Sequence, residues 1–176
     1  FKGCTSLTTA PELPAITLAN ECYSNMFNGC TSLTAAPELP ATTLADECYQ
    51  GMFYNCTSLT TAPELPATEL ASNCYSYMFY NCTSLKTVQD KLPAKILTNS
   101  CYKCMFKGCT SMIRMPYING MLFGYSSCYE MFKGCTSLTY ARNFINATTL
   151  GSYSCAGMFN GCSSLTTAPE LPATAL

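Results

Sequence analysis

The dipeptide Met-Phe recurs at Met26-Phe27, Met52-Phe53, Met78-Phe79, Met105-Phe106, Met131-Phe132 and Met158-Phe159, so the chain advances in steps of 26 or 27 residues. Four residues after each of these Met residues stands a Cys, followed by Thr-Ser-Leu or a near copy. The stretch Leu33 to Leu44 returns almost letter for letter as Leu59 to Leu70. A unit this short cannot bury an apolar face by itself, but stacked units bury a continuous one. The 176 residues are therefore read as one object built by repetition, with no second globular domain.

A period between 20 and 29 residues with Leu at fixed offsets is the mark of a leucine-rich solenoid. The expected fold is mainly β with short irregular or helical turns, in about six and a half coils of 26–27 residues. Within one coil, Leu33 to Leu39 reads as a short strand pairing in parallel with Leu59 to Leu65 of the next. Leu33, Ala36, Leu39, Leu44, Met52 and Phe53 then form the inward ladder. Pro37 and Pro63 fall inside these segments, and proline gives no hydrogen to a ladder, so the strands should be short or interrupted.

Composition narrows the function. The chain holds no His, which removes Ser-His-Asp and Cys-His catalysis and His-ligated zinc, so no enzyme activity and no cofactor are expected. The formal net charge of −1 gives no reason to expect nucleic acid as a partner, and no apolar run is long enough to insert in a membrane. Charge is nevertheless unevenly placed. Residues 1–80 carry Lys2 against seven acids, net −6, and residues 81–145 carry eight bases against Asp90 and Glu130, net +6. The basic half could attract an acidic partner or the acidic half of another copy.

The run Met52-Phe-Tyr-Asn-Cys56-Thr-Ser-Leu59, with the later Leu65-Pro66, resembles the BspA-like leucine-rich repeats of bacterial and protozoan surface proteins. The resemblance extends over essentially the whole chain. It implies a secreted or surface-anchored protein, extracellular or on the cell surface, and an adhesive role toward host or neighbouring-cell proteins. The chain departs from that family in carrying a second Cys per unit where an aliphatic residue is usual, and a Met where a small residue is common.

The fourteen cysteines fall into two columns. One follows Met-Phe (Cys4, Cys30, Cys56, Cys82, Cys109, Cys135, Cys162) and the other precedes it (Cys22, Cys48, Cys74, Cys101, Cys128, Cys155), with Cys104 left over. Pairing within each coil, at spacings of 8 or 7, makes one disulfide per coil and fits an oxidising compartment. Pairing each Cys with the next along works as well, and so does a buried column of free thiols packing as small hydrophobes. The isolated Cys101-Tyr-Lys-Cys104 lacks the matching pair of a zinc site.

Ligand specificity can be written only where units depart from the template. Lys86, Ile113, Arg114, Tyr117, Tyr140, Arg142 and Asn143 occupy outward positions held elsewhere by Thr, Ala, Pro and Glu, and are the candidate partner-binding residues. Tyr and Arg are common anchors of protein interfaces. The expected function is a non-catalytic protein-binding or adhesion module. The alternative is a structural subunit of a surface fibre or filament. Phe1 occupies the column of Phe27 and Leu176 that of Leu44, so residues 1–176 are expected to be an uncapped segment of a longer array, able to self-associate through its ends.

Overall fold

The computed structural model describes residues 1–141 and 147–169. Coils are numbered here from the Leu or Met after each Thr-Ser or Ser-Ser: coil 1 starts at Leu7, then Leu33, Leu59, Leu85, Met112 and Leu138. The chain is a solenoid, with no helix among the described residues. Parallel pairing links neighbouring coils at Thr9 and Ala35, Ala35 and Thr61, Thr61 and Thr87, and Arg114 and Tyr140. Each is a single bridge, because a proline stands two residues on, at 11, 37, 63 and 116, and cannot extend it.

Longer pairing appears where the template changes. In coil 4, Gln89 replaces the first proline, and the strands β1 (Lys91–Leu92) and β2 (Ile96–Leu97) form. They pair in parallel with β3 (Tyr117–Ile118) and β4 (Leu122–Phe123) of coil 5, and β4 pairs with β5 (Thr149–Leu150) of coil 6. Gln89 also closes the junction with the proline-rich coils: its carboxamide oxygen accepts from the Leu65 N–H and its amide donates to the Leu65 carbonyl.

The main inter-coil ladder lies in the segment around Met-Phe rather than in the strands. There alternate N–H groups donate to the next coil, as from Tyr49 to Cys74, Gly51 to Ser76, Phe53 to Met78 and Asn55 to Tyr80. The N–H groups between them bond three residues back within the coil, as from Met52 to Tyr49 and Cys56 to Phe53. Every fourth residue takes positive φ to keep this geometry: in coil 2 these are Glu47, Gly51 and Asn55. The last of these positions is held in all six coils by Gly or Asn (Gly29, Asn55, Asn81, Gly108, Gly134, Gly161), the residues that enter the left-handed region most readily. Replacing Gly134 by Ala should cost roughly 1–2 kcal/mol. Gly134→Asn, which copies coils 2 and 3, should cost less; urea denaturation of the two variants makes the comparison.

Stacking gives the core its form. Phe27, Phe53, Phe79, Phe106 and Phe132 make a buried column with ring centroids 5.4–5.6 Å apart, and Tyr49, Tyr75 and Tyr102, with the half-buried Tyr23 at their end, a second at 5.8–6.0 Å. The expected inward residues Leu33, Leu39, Leu44, Met52 and Phe53 are buried, while Ala36 is half-buried.

Of the alternatives that the cysteine spacing leaves open, the structure carries the column of free thiols: all fourteen cysteines are free. Cys56, Cys82, Cys109, Cys135 and Cys162 each donate to the carbonyl of a Phe in the preceding coil, at 3.0–3.1 Å. The second column is also broken. The bonds from Tyr75 N–H to Cys101 O and from Tyr102 N–H to Ser127 O put Ser127 over Cys101, so Cys128 continues the tyrosine column above Tyr102. Backbone register, counted back from Met131, decides this, and the spacing of 7 rather than 8 between Cys128 and Cys135 is its trace in sequence.

Candidate protein-binding face

The strand side of coils 4 to 6 presents the departures from the template on a rigid parallel scaffold. Arg114 and Tyr140 are ladder partners and both are exposed, Tyr140 at 54%. Tyr117 pairs with Lys91, whose Nζ lies 5.9 Å from the centre of the tyrosine ring. Lys86, Ile113 and Arg114 line a shallow groove of about 330 Å³ together with Gln89 and Met115. Five candidate residues, Lys86, Ile113, Arg114, Tyr117 and Tyr140, thus share one side of coils 4 to 6, whereas Arg142 and Asn143 lie outside the described residues. A polar and aromatic surface of this kind, with Ile113 half open, has the makeup of a protein contact.

Two features of the surface escape the column reading. Ile96 and Leu122 are β2–β4 partners and remain exposed at 59% and 44%, with Met121 beside them. Ile96 and Lys95 also border a groove of about 420 Å³ with Thr68, Glu69 and Pro93. The signal was present in the sequence, since Leu-Pro-Ala aligns Ile96 with Glu69, a charged residue of the coil below.

The second feature lies on the turn side. Glu130 accepts from Lys107 and Lys133, each at 2.7 Å, and these two ammonium groups hold its carboxyl below the usual range. Lys107 also covers Tyr80, 5.6 Å from the ring centre, and Tyr80 stacks on Tyr54 at 4.5 Å. Lys103 stands near both Tyr77 and Tyr129, at 6.0 and 5.8 Å. Cys104 is buried beneath this network with its sulfur 4.0 Å from Glu130 Oε2, while the sulfur of Cys101 lies 4.0 Å from the Ser127 carbonyl. The two cysteines of the C-x-x-C run therefore serve different surroundings. Among the described residues no three His, Cys, Asp or Glu side chains come together as metal ligands. No helix among them is long and apolar enough to cross a membrane.

A profile of the BspA type leucine rich repeat region matches residues 1–127 and 50–171, with six copies. Among solved structures, the chain is similar to a leucine-rich repeat protein from Bacteroides ovatus, at 20% identity and a TM-score of 0.27, over 80% of this chain and 50% of the other. The chain thus spans about half the length of that protein. No curated protein matches the sequence significantly.

Proposed function

Since this chain belongs to the BspA-type leucine-rich repeat family, we propose that it is a non-catalytic adhesion module at the cell surface or outside the cell, gripping protein partners with the strand side of coils 4 to 6. The observation that carries this reading is the set of anchors, Arg114 and Tyr140 exposed and Tyr117 half-buried, held in parallel register over a stacked core. Anchors fixed in advance lose little freedom on binding, so more of the contact energy appears as affinity. The absence of His supports a non-catalytic role, and burial holds column thiols such as Cys56 and Cys82 protonated, which denies those thiols nucleophilic character.

Adhesion of chain-coated beads to cultured cells and to immobilised matrix proteins tests the reading. Substituting Arg114, Tyr117 and Tyr140 together by Ala should reduce adhesion at least about tenfold, as the loss of interface hot spots does. Unchanged adhesion would make these residues drift in a solvated surface and overturn the assignment.

A further inference from the structure

The strand side of the rod carries opposite charges at its two halves, and among the described residues no ion pair joins one half to the other. Glu12, Glu38 and Glu64 are exposed, each inside a Pro-Glu-Leu-Pro segment. Prolines and these acids line two furrows, one of about 510 Å³ with Glu12 and Glu38 and one of about 270 Å³ with Glu38 and Glu64. In coil 4 the same place before Leu-Pro is taken by Lys91, and Tyr117 of coil 5 pairs with it. Along one line the rod thus presents Glu12, Glu38, Glu64, Lys91 and Tyr117, with Arg114 exposed beside them. Among the described residues the only ion pairs join Glu130 to Lys107 and Lys133, so Glu38, Glu64, Lys91 and Arg114 have none. A stacked rod cannot fold its acidic half back onto its basic half.

We propose that the strand side pairs with a second copy of this chain, antiparallel, about a twofold axis passing between Glu64 and Lys91. Such an axis maps the line onto itself with its charges exchanged. Glu64 of one copy meets Lys91 of the other, and the furrow at Glu38 receives the Tyr117 and Arg114 side, with the tyrosine ring against the proline rims. Both contacts occur twice, which is the self-complementary pattern of an isologous dimer. The net charges of −6 and +6 on the two halves favour this orientation and disfavour the parallel one. The inference rests on the reading that the strand side is the contact surface, and it names that surface's partner.

Sedimentation velocity on the chain is the test. Dimers are expected at about 20 mM salt and monomers at about 500 mM, where screening reaches a few ångströms. Two variants, Glu38→Lys with Glu64→Lys and Lys91→Glu with Arg114→Glu, should each be monomeric at low salt, with dimerisation weakened more than about tenfold. An equimolar mixture of the two should recover the dimer, since every contact between unlike variants is again complementary. Circular dichroism checks that both variants fold. A wild-type chain that stays monomeric at low salt would overturn the proposal, and so would variants that dimerise as the wild type does. A monomer whose adhesion still depends on Arg114, Tyr117 and Tyr140 would remove the self-pairing and leave the adhesive role standing. A salt-sensitive dimer whose adhesion ignores those residues would remove the adhesive role instead.

Discussion

Replacing Phe79 by Ala should destabilise the chain by about 3–5 kcal/mol, the usual cost of deleting a large aromatic from a closed core. Phe79 is fully buried, and its ring is stacked between Phe53 at 5.5 Å and Phe106 at 5.4 Å. Those two contacts add to the backbone ladder that joins coil 3 to coils 2 and 4, and in a solenoid each coil has only its neighbours to hold it. The loss should therefore weaken cooperation between the two ends as well as total stability. In urea the transition should move to lower concentration and broaden, as it does when one two-state unit becomes two partly independent ones. Phe1→Ala serves as the comparison, because Phe1 is 53% exposed and, at the first position of the column, stacks on Phe27 only from one side. It should cost far less. A Phe79→Ala variant within about 1 kcal/mol of wild type would contradict a shared aromatic core, since buried large-to-small changes cost several times that.

Alkaline pH should unfold the chain in a narrow range while leaving it untouched near neutrality. Burial pushes the thiols up from their ordinary value of 9.0, to about 11 at Cys48 and about 12 at Cys56 and Cys101. It raises the phenols of Tyr49, Tyr75 and Tyr102 in the same sense. The charged form is the one burial disfavours, so the folded chain keeps protons that the unfolded chain releases. The resulting stability is fully present below the unfolded thiol value of about 9 and is lost as pH rises toward the raised values, between about 9 and 12. Tyrosine absorbance at 295 nm should show the buried phenols ionising together with loss of structure. Smooth, reversible ionisation of every tyrosine near pH 10 with the fold intact would refute it.

The same burial sets thiol chemistry. A thiol raised from 9.0 to about 12 has its thiolate fraction lowered about a thousandfold at a given pH. In the native chain Ellman's reagent at pH 8 should therefore find Cys4 and Cys22, the two exposed cysteines, quickly, the half-buried Cys155 more slowly, and the eleven buried ones only after denaturation. An intact mass unchanged by reductant would agree with fourteen free thiols. A fast count well above two would mean that the column is open to solvent.

Much of the candidate face could be read from the sequence, because a departure from a repeated template marks its own position. Arg114, Tyr117 and Tyr140 stand out against Ala35, Glu38 and their copies without any coordinates. What the template could not supply was company. Lys91 against Tyr117, and Glu130 between Lys107 and Lys133, are pairings whose partners are set by how coils lie on one another and by which way each side chain leaves the backbone. The exposed pair Ile96 and Leu122 was missed for a related reason: two apolar letters in a coil read as core until the strand phase shows them facing outward.

The sequence by itself determined the solenoid, its period, its columns of Phe and of post-Met Cys, and the division of charge along it, because residues at equal intervals in stacked coils must share one environment. Only the tertiary structure decided that the chief hydrogen-bonded ladder runs through the left-handed turns around Met-Phe and that the cysteines remain thiols. It also decided that Cys128 stands over Tyr102 while Ser127 takes the place above Cys101. Those outcomes depend on the local path of the backbone, where one residue more or less between two turns moves a side chain to a different column without changing the period.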